Sequence, residues 1–309
     1  MRDLLSYLLK RFLWMILTLW IIYTVSFVLM RSVPGNPFSG ERNVPPAIER
    51  QLRARYNLDA PPIQQYWDYL VGVVTRFDLG WCLKLEDYSV NQVLAEGFPV
   101  SASLAIFALV FAIILGVTAG VISAVYRKSY ADRALMGAAV LGIAIPNFVM
   151  ASLAILLFVF GIQLFPAGGW GTLRQIALPA LCLGAPVAAY IARLTRTGML
   201  ETLSKEHVRT AYAKGLPKFT VIRKHVLPGA LLPVISYLGP ATARVLTGSL
   251  VLEMIFALPG MGSHFINAAT QRDYTLAMGM ILTYAVLLFV MNTLVDISYS
   301  IIDPRVKLK

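Results

Sequence analysis

Charge is scarce in this chain. Only 14% of its 309 residues are Asp, Glu, Lys or Arg, against about 25% in a soluble globular domain. A water-soluble fold of this length still needs a polar surface over its core. Here the charges are confined to gaps between long apolar blocks, 58% of the residues are hydrophobic, and the mean hydropathy is +0.68. That excludes an ordinary soluble domain and describes a chain dissolved in lipid, where one helical span takes roughly 20 apolar residues. Cysteine is scarce too. Cys82 and Cys182 are isolated thiols, so no disulfide framework follows. Three histidines, far apart in sequence, give no metal-ligand spacing. A G-x-x-x-x-G-K-[ST] phosphate loop is also missing, so any ATP chemistry belongs to another chain.

The net charge is +11. A nucleic-acid surface would gather that charge into one patch, but the basic residues flank apolar blocks instead. Six such blocks stand out, at about 12–30, 101–126, 134–160, 176–198, 229–251 and 277–302. Pro179 and Pro186 interrupt the fourth, which still reads as a span because neighbouring helices re-satisfy the freed carbonyls. Lys10 and Arg11 precede a first block too long for a signal h-region, so it reads as a retained helix. Of the 27 Lys and Arg, 17 fall in one set of gaps and nine in the other, with Arg244 inside a block. The positive-inside rule then puts both termini in the cytoplasm.

The long outer loop opens on Pro34, Gly35, Asn36 and Pro37, which stop a helix. Ile48, Leu52 and Tyr56, then Ile63, Tyr66, Trp67, Leu70 and Val74, recur at helical spacing. Two short amphipathic helices are expected, lying on the outer membrane surface, docking an outside partner, or both.

The inner gap between the fourth and fifth blocks is the most charged. Ser204 has the chemistry of an N-cap, and Glu206 in the first turn favours the helix dipole. Val208, Ala211 and Tyr212 share a face, Gly215 suits a left-handed C-cap, and Pro217 prevents continuation. A helix of about three turns is expected, with Lys205, Arg209 and Lys214 as a basic rim. Left at that, it is either a solvated surface helix or a contact for a cytoplasmic partner.

The run Arg209-Thr210-Ala211-Tyr212-Ala213-Lys214-Gly215, then nine residues, then His225-Val226-Leu227-Pro228, resembles the EAA loop of ATP-binding-cassette importer permeases. Ala211, Gly215, Leu227 and Pro228 fall in register. Arg209 stands where the motif has Glu, Thr210 where it has the first Ala, and His225 where it has Ile. Pro34–Arg42, Lys84–Val90, Phe98–Ser101, Leu258–Gly262, Arg272–Tyr274 and Ile302–Pro304 are similar to the B-type inner-membrane subunit of bacterial oligopeptide permeases, so the resemblance spans nearly the whole chain.

The resemblance implies an all-α membrane protein of the type I importer permease fold, in the bacterial cytoplasmic membrane. The chain would divide into an N-terminal elbow and first helix (1–30), an external loop (31–96), a five-helix permease core (97–300) and a cytoplasmic tail (301–309). The coupling helix would fall at about 203–216. The implied function is uptake of oligopeptides, or, in sister branches, of dipeptides or a chelated metal such as nickel. Implied partners are a companion C-type permease, two ATP-binding subunits carrying ATP and magnesium, and an outside peptide-binding protein. The chain itself would be non-catalytic and hold no cofactor. Ser204, Lys205, Glu206, His207, Val208, Arg209, Thr210, Ala211, Tyr212, Ala213, Lys214, Gly215 and Leu216, with Leu227 and Pro228, would form the ATPase-coupling loop. Ala211, Ala213 and Gly215 would give it a small face for the partner.

Two features await a role. Arg244 lies about 15 residues into the fifth block, where a charge facing lipid costs about 2.5–3.5 kcal/mol. It lines a translocation path, where it would attract a peptide carboxylate, or it bonds carbonyls of neighbouring helices. Glu253 points the opposite way, nine residues on. The turn Leu258-Pro259-Gly260-Met261-Gly262 forces a break and is either part of an outer gate or a plain reversal. A different class of function, an ion-coupled transporter using Arg244, Glu253 and Asp296, calls for internal repeats, and none stands out.

Overall fold

The computed structural model describes residues 2–32, 50–51, 53–54, 56–85 and 87–302, with side chains from Tyr7 to Ile297 among them. The expectations for Pro34–Arg42, Ile48, Leu52, Asp303, Pro304 and the tail fall outside those residues. Among the described residues the secondary structure is helical, apart from one isolated bridge between Trp81 and Ser89. They form two compact units. One holds the chain up to Ser101 together with Pro259–Thr293, and the other holds Ala102–Leu258 together with the residues from Leu294.

In the first unit, α1 (Arg2–Ser32) and α2 (Pro62–Arg76) meet through aromatic rings. Tyr23 is 2% exposed. It stacks on Tyr69 and donates its hydroxyl to the Tyr66 carbonyl at 2.6 Å. The expected helix over 63–74 forms, but its apolar residues split. Tyr66 and Leu70 turn towards α1, while Ile63, Trp67 and Val74 stay exposed. The same unit contains the start of α3 (Val90–Val125) and much of the last helix, Tyr274–Ile302.

In the second unit, α4 (Tyr130–Ala144) is capped by Ser129, which accepts the Asp132 N–H at 3.2 Å. It leads to α5 (Asn147–Ala154) and a π-helical extension, Ile155–Gly161. The block expected to span at 134–160 is not straight: its two halves bend by 113°. The cause is local. Pro146 drives the residue before it out of the helical region, and Ile145 sits extended at φ −84°, ψ 124°.

The fourth block forms one helix, α6 (Leu173–Leu203), opened by a capping box between Thr172 and Gln175. Pro179 and Pro186 both lie inside it. It packs close to α3, since a Cβ on Gly120 would sit 2.5 Å from the Thr195 Cβ. Among the described residues, four uninterrupted helices are long and apolar enough to cross a membrane, and up to six spans result if each bent pair counts as one.

Candidate functional site

The residues expected to form the coupling loop lie in the second unit. Helix α7 covers Glu206–Ala213, a little over two turns where about three were expected. Ser204 does not cap it. Its hydroxyl donates to the Glu201 carbonyl at 2.7 Å and closes α6 instead. Lys205 is the extended N-cap, with no side-chain cap bond. The C-terminal end forms as the sequence implies. Gly215 takes φ +75°, its N–H reaches the Tyr212 carbonyl at 2.9 Å, and the Leu216 N–H reaches Ala211 at 3.4 Å. These two bonds form a Schellman cap, which satisfies carbonyls that a helix end otherwise leaves open.

One face of α7 is committed to the chain itself. Val208 is 0% exposed and Ala211 4%. They pack with Ala124, Met199, Val221, Val226 and Ala230, while Leu216 closes the edge. Ala211 therefore seats the helix and does not face outward, which corrects its expected place on a partner-facing surface. The outward residues are Glu206, His207, Arg209, Thr210, Tyr212, Ala213, Lys214 and Gly215. The His207 ring also bonds to the His225 carbonyl at 3.2 Å.

The segment beneath α7 rises through α8 (Lys218–Val221), a π-helical turn (Ile222–Val226) and α9 (Leu227–Ala230), then bends by 50° into α10 (Leu232–Gly248). Pro228 accounts for the irregular turn. It has no N–H, and its ring crowds the carbonyl four residues back, so the ladder widens to bond Leu227 N–H to Ile222. Gly198 on α6 meets this segment closely, because a Cβ there would lie 2.5 Å from the Ala230 carbonyl oxygen.

An ion pair that the sequence did not reveal braces the same unit. Arg196 of α6 donates to both oxygens of Asp132 on α4, at 2.8 and 3.0 Å. Ser123 donates to the same carboxylate, as does the Lys128 N–H at 2.9 Å. Asp132 and Arg196 stand 64 positions apart, a separation that local pattern reading does not reach.

The path candidates fare differently. Arg244 is exposed on α10, and no hydrogen bond or ion pair engages its guanidinium among the described residues. Glu253, on α11 (Leu250–Ile255), is 0% exposed and accepts the Ser249 hydroxyl at 2.6 Å. Glu253, a candidate for the translocation path or gate, is thus shut inside the second unit. In the first unit, Pro259 is exposed, and Gly260, Met261 and Gly262 are buried. The Met261 N–H donates to Ser101 at 2.9 Å. The turn leads into an unforeseen helix, α12 (Met261–Gln271), before α13 (Tyr274–Ile302) begins. Asp273, 1% exposed, accepts the Leu83 and Lys84 N–H groups at 2.8 and 3.0 Å. The motifs around Lys84 and Arg272 thus meet in space.

Comparison with known proteins adds to this geometry. Residues 116–308 match the model of the binding-protein-dependent transport system inner membrane component, and residues 4–105 match that of its N-terminal part. A dipeptide transport system permease protein of Bacillus subtilis (strain 168) is 47% identical over 302 residues, covering 98% of both chains. An oligopeptide transport system permease protein of Escherichia coli (strain K12) is 43% identical, covering 98% of this chain and 99% of the other. Among solved structures, an amino acid ABC transporter aligns with a TM-score of 0.54 at 17% identity, covering 70% of this chain and 95% of that one. The MetNI methionine ABC transporter in inward-facing conformations aligns at 0.51 and 18%, covering 67% and 97%.

Proposed function

This chain belongs to the family of binding-protein-dependent transport system inner membrane components, and we propose that it is the permease subunit through which a bacterial ATP-binding-cassette importer takes up peptides. It is a multi-pass protein of the cytoplasmic membrane. The Lys and Arg bias places both termini in the cytoplasm, and α7 then lies on the same side. The region up to residue 30, the external loop 31–96, the core 97–300 and the tail 301–309 are its functional divisions.

The observation that carries the reading is α7 itself. It is a capped two-turn helix with one face locked into the body of the chain and the other exposed. Transfer of hydrolysis energy requires a contact that differs between two states. The exposed face, with Glu206, Arg209, Thr210 and Ala213, meets a groove on an ATP-binding subunit. Closure of two such subunits, which hold ATP and magnesium, moves α7 together with α6 and α10. A companion C-type permease completes the passage, and an outside binding protein delivers the peptide. The buried turn Gly260–Gly262 contributes to the outer gate. Oligopeptides and dipeptides, the cargoes named for the two relatives above, are the substrate class.

The test is reconstitution. The chain, its companion and the ATP-binding subunits are placed in proteoliposomes with binding protein and a labelled peptide. Import should require ATP and survive collapse of the proton gradient. If the chain alone concentrated peptide on an ion gradient, the reading would fail.

A further inference from the structure

One surface of the second unit carries polar and aromatic groups that its own packing leaves open. Tyr190 on α6 is 43% exposed. Its ring stacks on that of Tyr237 on α10, with centroids 4.3 Å apart and planes at 30°. Arg244 is exposed seven residues beyond Tyr237. Seven residues are within about 20° of two full turns, so the two side chains share a face about 10 Å apart along the axis. Gly198 packs against Ala230 and Tyr190 against Tyr237, so α6 and α10 run antiparallel. Arg193, also exposed, therefore lies on the side of the tyrosine pair nearer α7. In order, the surface presents Arg244, two stacked tyrosines and Arg193.

This surface does not suit lipid. A guanidinium stays charged at every physiological pH, and intramembrane charges face protein or a watery cavity. Its planar fork matches a carboxylate in bidentate fashion. A peptide of any sequence always carries one anion, its terminal carboxylate, and the stacked rings offer a flat surface to the residues before it. We propose that Arg244 and the Tyr190–Tyr237 pair take the C-terminal carboxylate end of the transported peptide, with Arg193 as the next cation along the route inward. The inference rests on the peptide-import reading above and adds the chemical group that is recognised.

The test compares alanine tripeptide with its C-terminal amide in proteoliposomes holding the whole complex. Saturating binding protein is used, and its affinity for each peptide is measured separately. Arg244→Gln should lower import of the free acid roughly tenfold, the worth of one charge-assisted hydrogen bond, while import of the amide holds. Arg244→Lys should recover part of the loss. Equal losses for acid and amide would overturn the proposal. So would loss of the companion subunit on purification, which would assign Arg244 to the interface between permeases. If the wild-type complex imported neither peptide with ATP, the fault would lie in the import reading itself.

Discussion

Replacing Gly215 with valine tests whether the coupling role proposed for α7 depends on its cap. The residue sits at φ +75°, and no atom lies within 4 Å of where a Cβ would stand. Nothing in the chain clashes, so the intramolecular cost is confined to the backbone. Left-handed conformation costs an ordinary residue roughly 1–2 kcal/mol, while asparagine visits it routinely. Valine, branched at Cβ, is a genuine outlier there. The eight residues of α7 are too few to hold a helix in water unaided. The two cap bonds and the burial of Val208 and Ala211 must therefore decide whether it stays docked. Since about 1.4 kcal/mol is tenfold in an equilibrium, Gly215→Val should raise the undocked fraction roughly tenfold and Gly215→Asn far less. The assay is peptide imported per ATP hydrolysed by the purified complex, alongside membrane insertion. Valine should lower the ratio with insertion normal, and asparagine should largely keep it. Equal losses for both would shift the cause to side-chain bulk against the ATPase, and full coupling with valine would refute the role of the cap.

Three further outcomes are expected. Asp132→Asn should lower the thermal midpoint of the solubilised chain, and Arg196→Lys should do so by less, since the ammonium keeps the charge but loses the two-pronged geometry; additive losses in the double variant would argue against direct pairing. Gly198→Val should cost about 1–3 kcal/mol by overpacking, because its Cβ would meet the Ala230 carbonyl oxygen at 2.5 Å; an unchanged melting curve would show that α6 and α9 separate easily. Burial, helped by the Asp273 charge, pushes the Cys82 thiol up to about 12, so maleimide should label it at neutral pH only after denaturation; rapid labelling of the folded protein would mean that this part of the first unit opens.

Apolar length made the spans legible, because a run of some 20 such residues has few other destinations. The same criterion hid the break at Ile145-Pro146, whose local signal was present in the sequence but gave way to the length of the run. Gly215 was readable because only its backbone freedom suits that turn. Ser204 was not, since its hydroxyl can accept from the N–H groups that open α7 or donate to the carbonyls that close α6, and it bonds back to Glu201. Helix α12 was masked by Gly260 and Gly262, which look like turn residues but lie at its N-terminal boundary. On an ideal helix the nine-residue spacing of Arg244 and Glu253 puts them on opposite sides; the observed helix breaks at Ser249, and one is exposed while the other is buried. Which of the two faced outward depended on neighbours that periodicity does not name. The Asp132–Arg196 pair and the hold of Asp273 on residues 83–84 are non-local throughout.

The inward commitment of Val208 and Ala211 bears on how force would pass through the chain. A helix hung on flexible loops would let an ATPase stroke dissipate in loop motion. Here α7 shares one buried cluster with Met199 of α6, Val221 and Val226 of the rising segment and Ala230 at the foot of α10. Interiors packed to crystal density compress little and transmit strain, so a push on the outer face of α7 shifts α6 and α9 with it. The close approach of Gly198 to Ala230 leaves little room for those helices to slip, and Arg196 carries the displacement across to α4 through a bidentate bond. On the coupling role proposed above, an ATP-binding subunit would therefore engage this whole packed end of the second unit, with α7 as its outer surface. Substitutions at buried Ala211 and at exposed Ala213 should therefore fail in different ways, the first by loosening the lever from the body and the second by spoiling its fit to the ATPase.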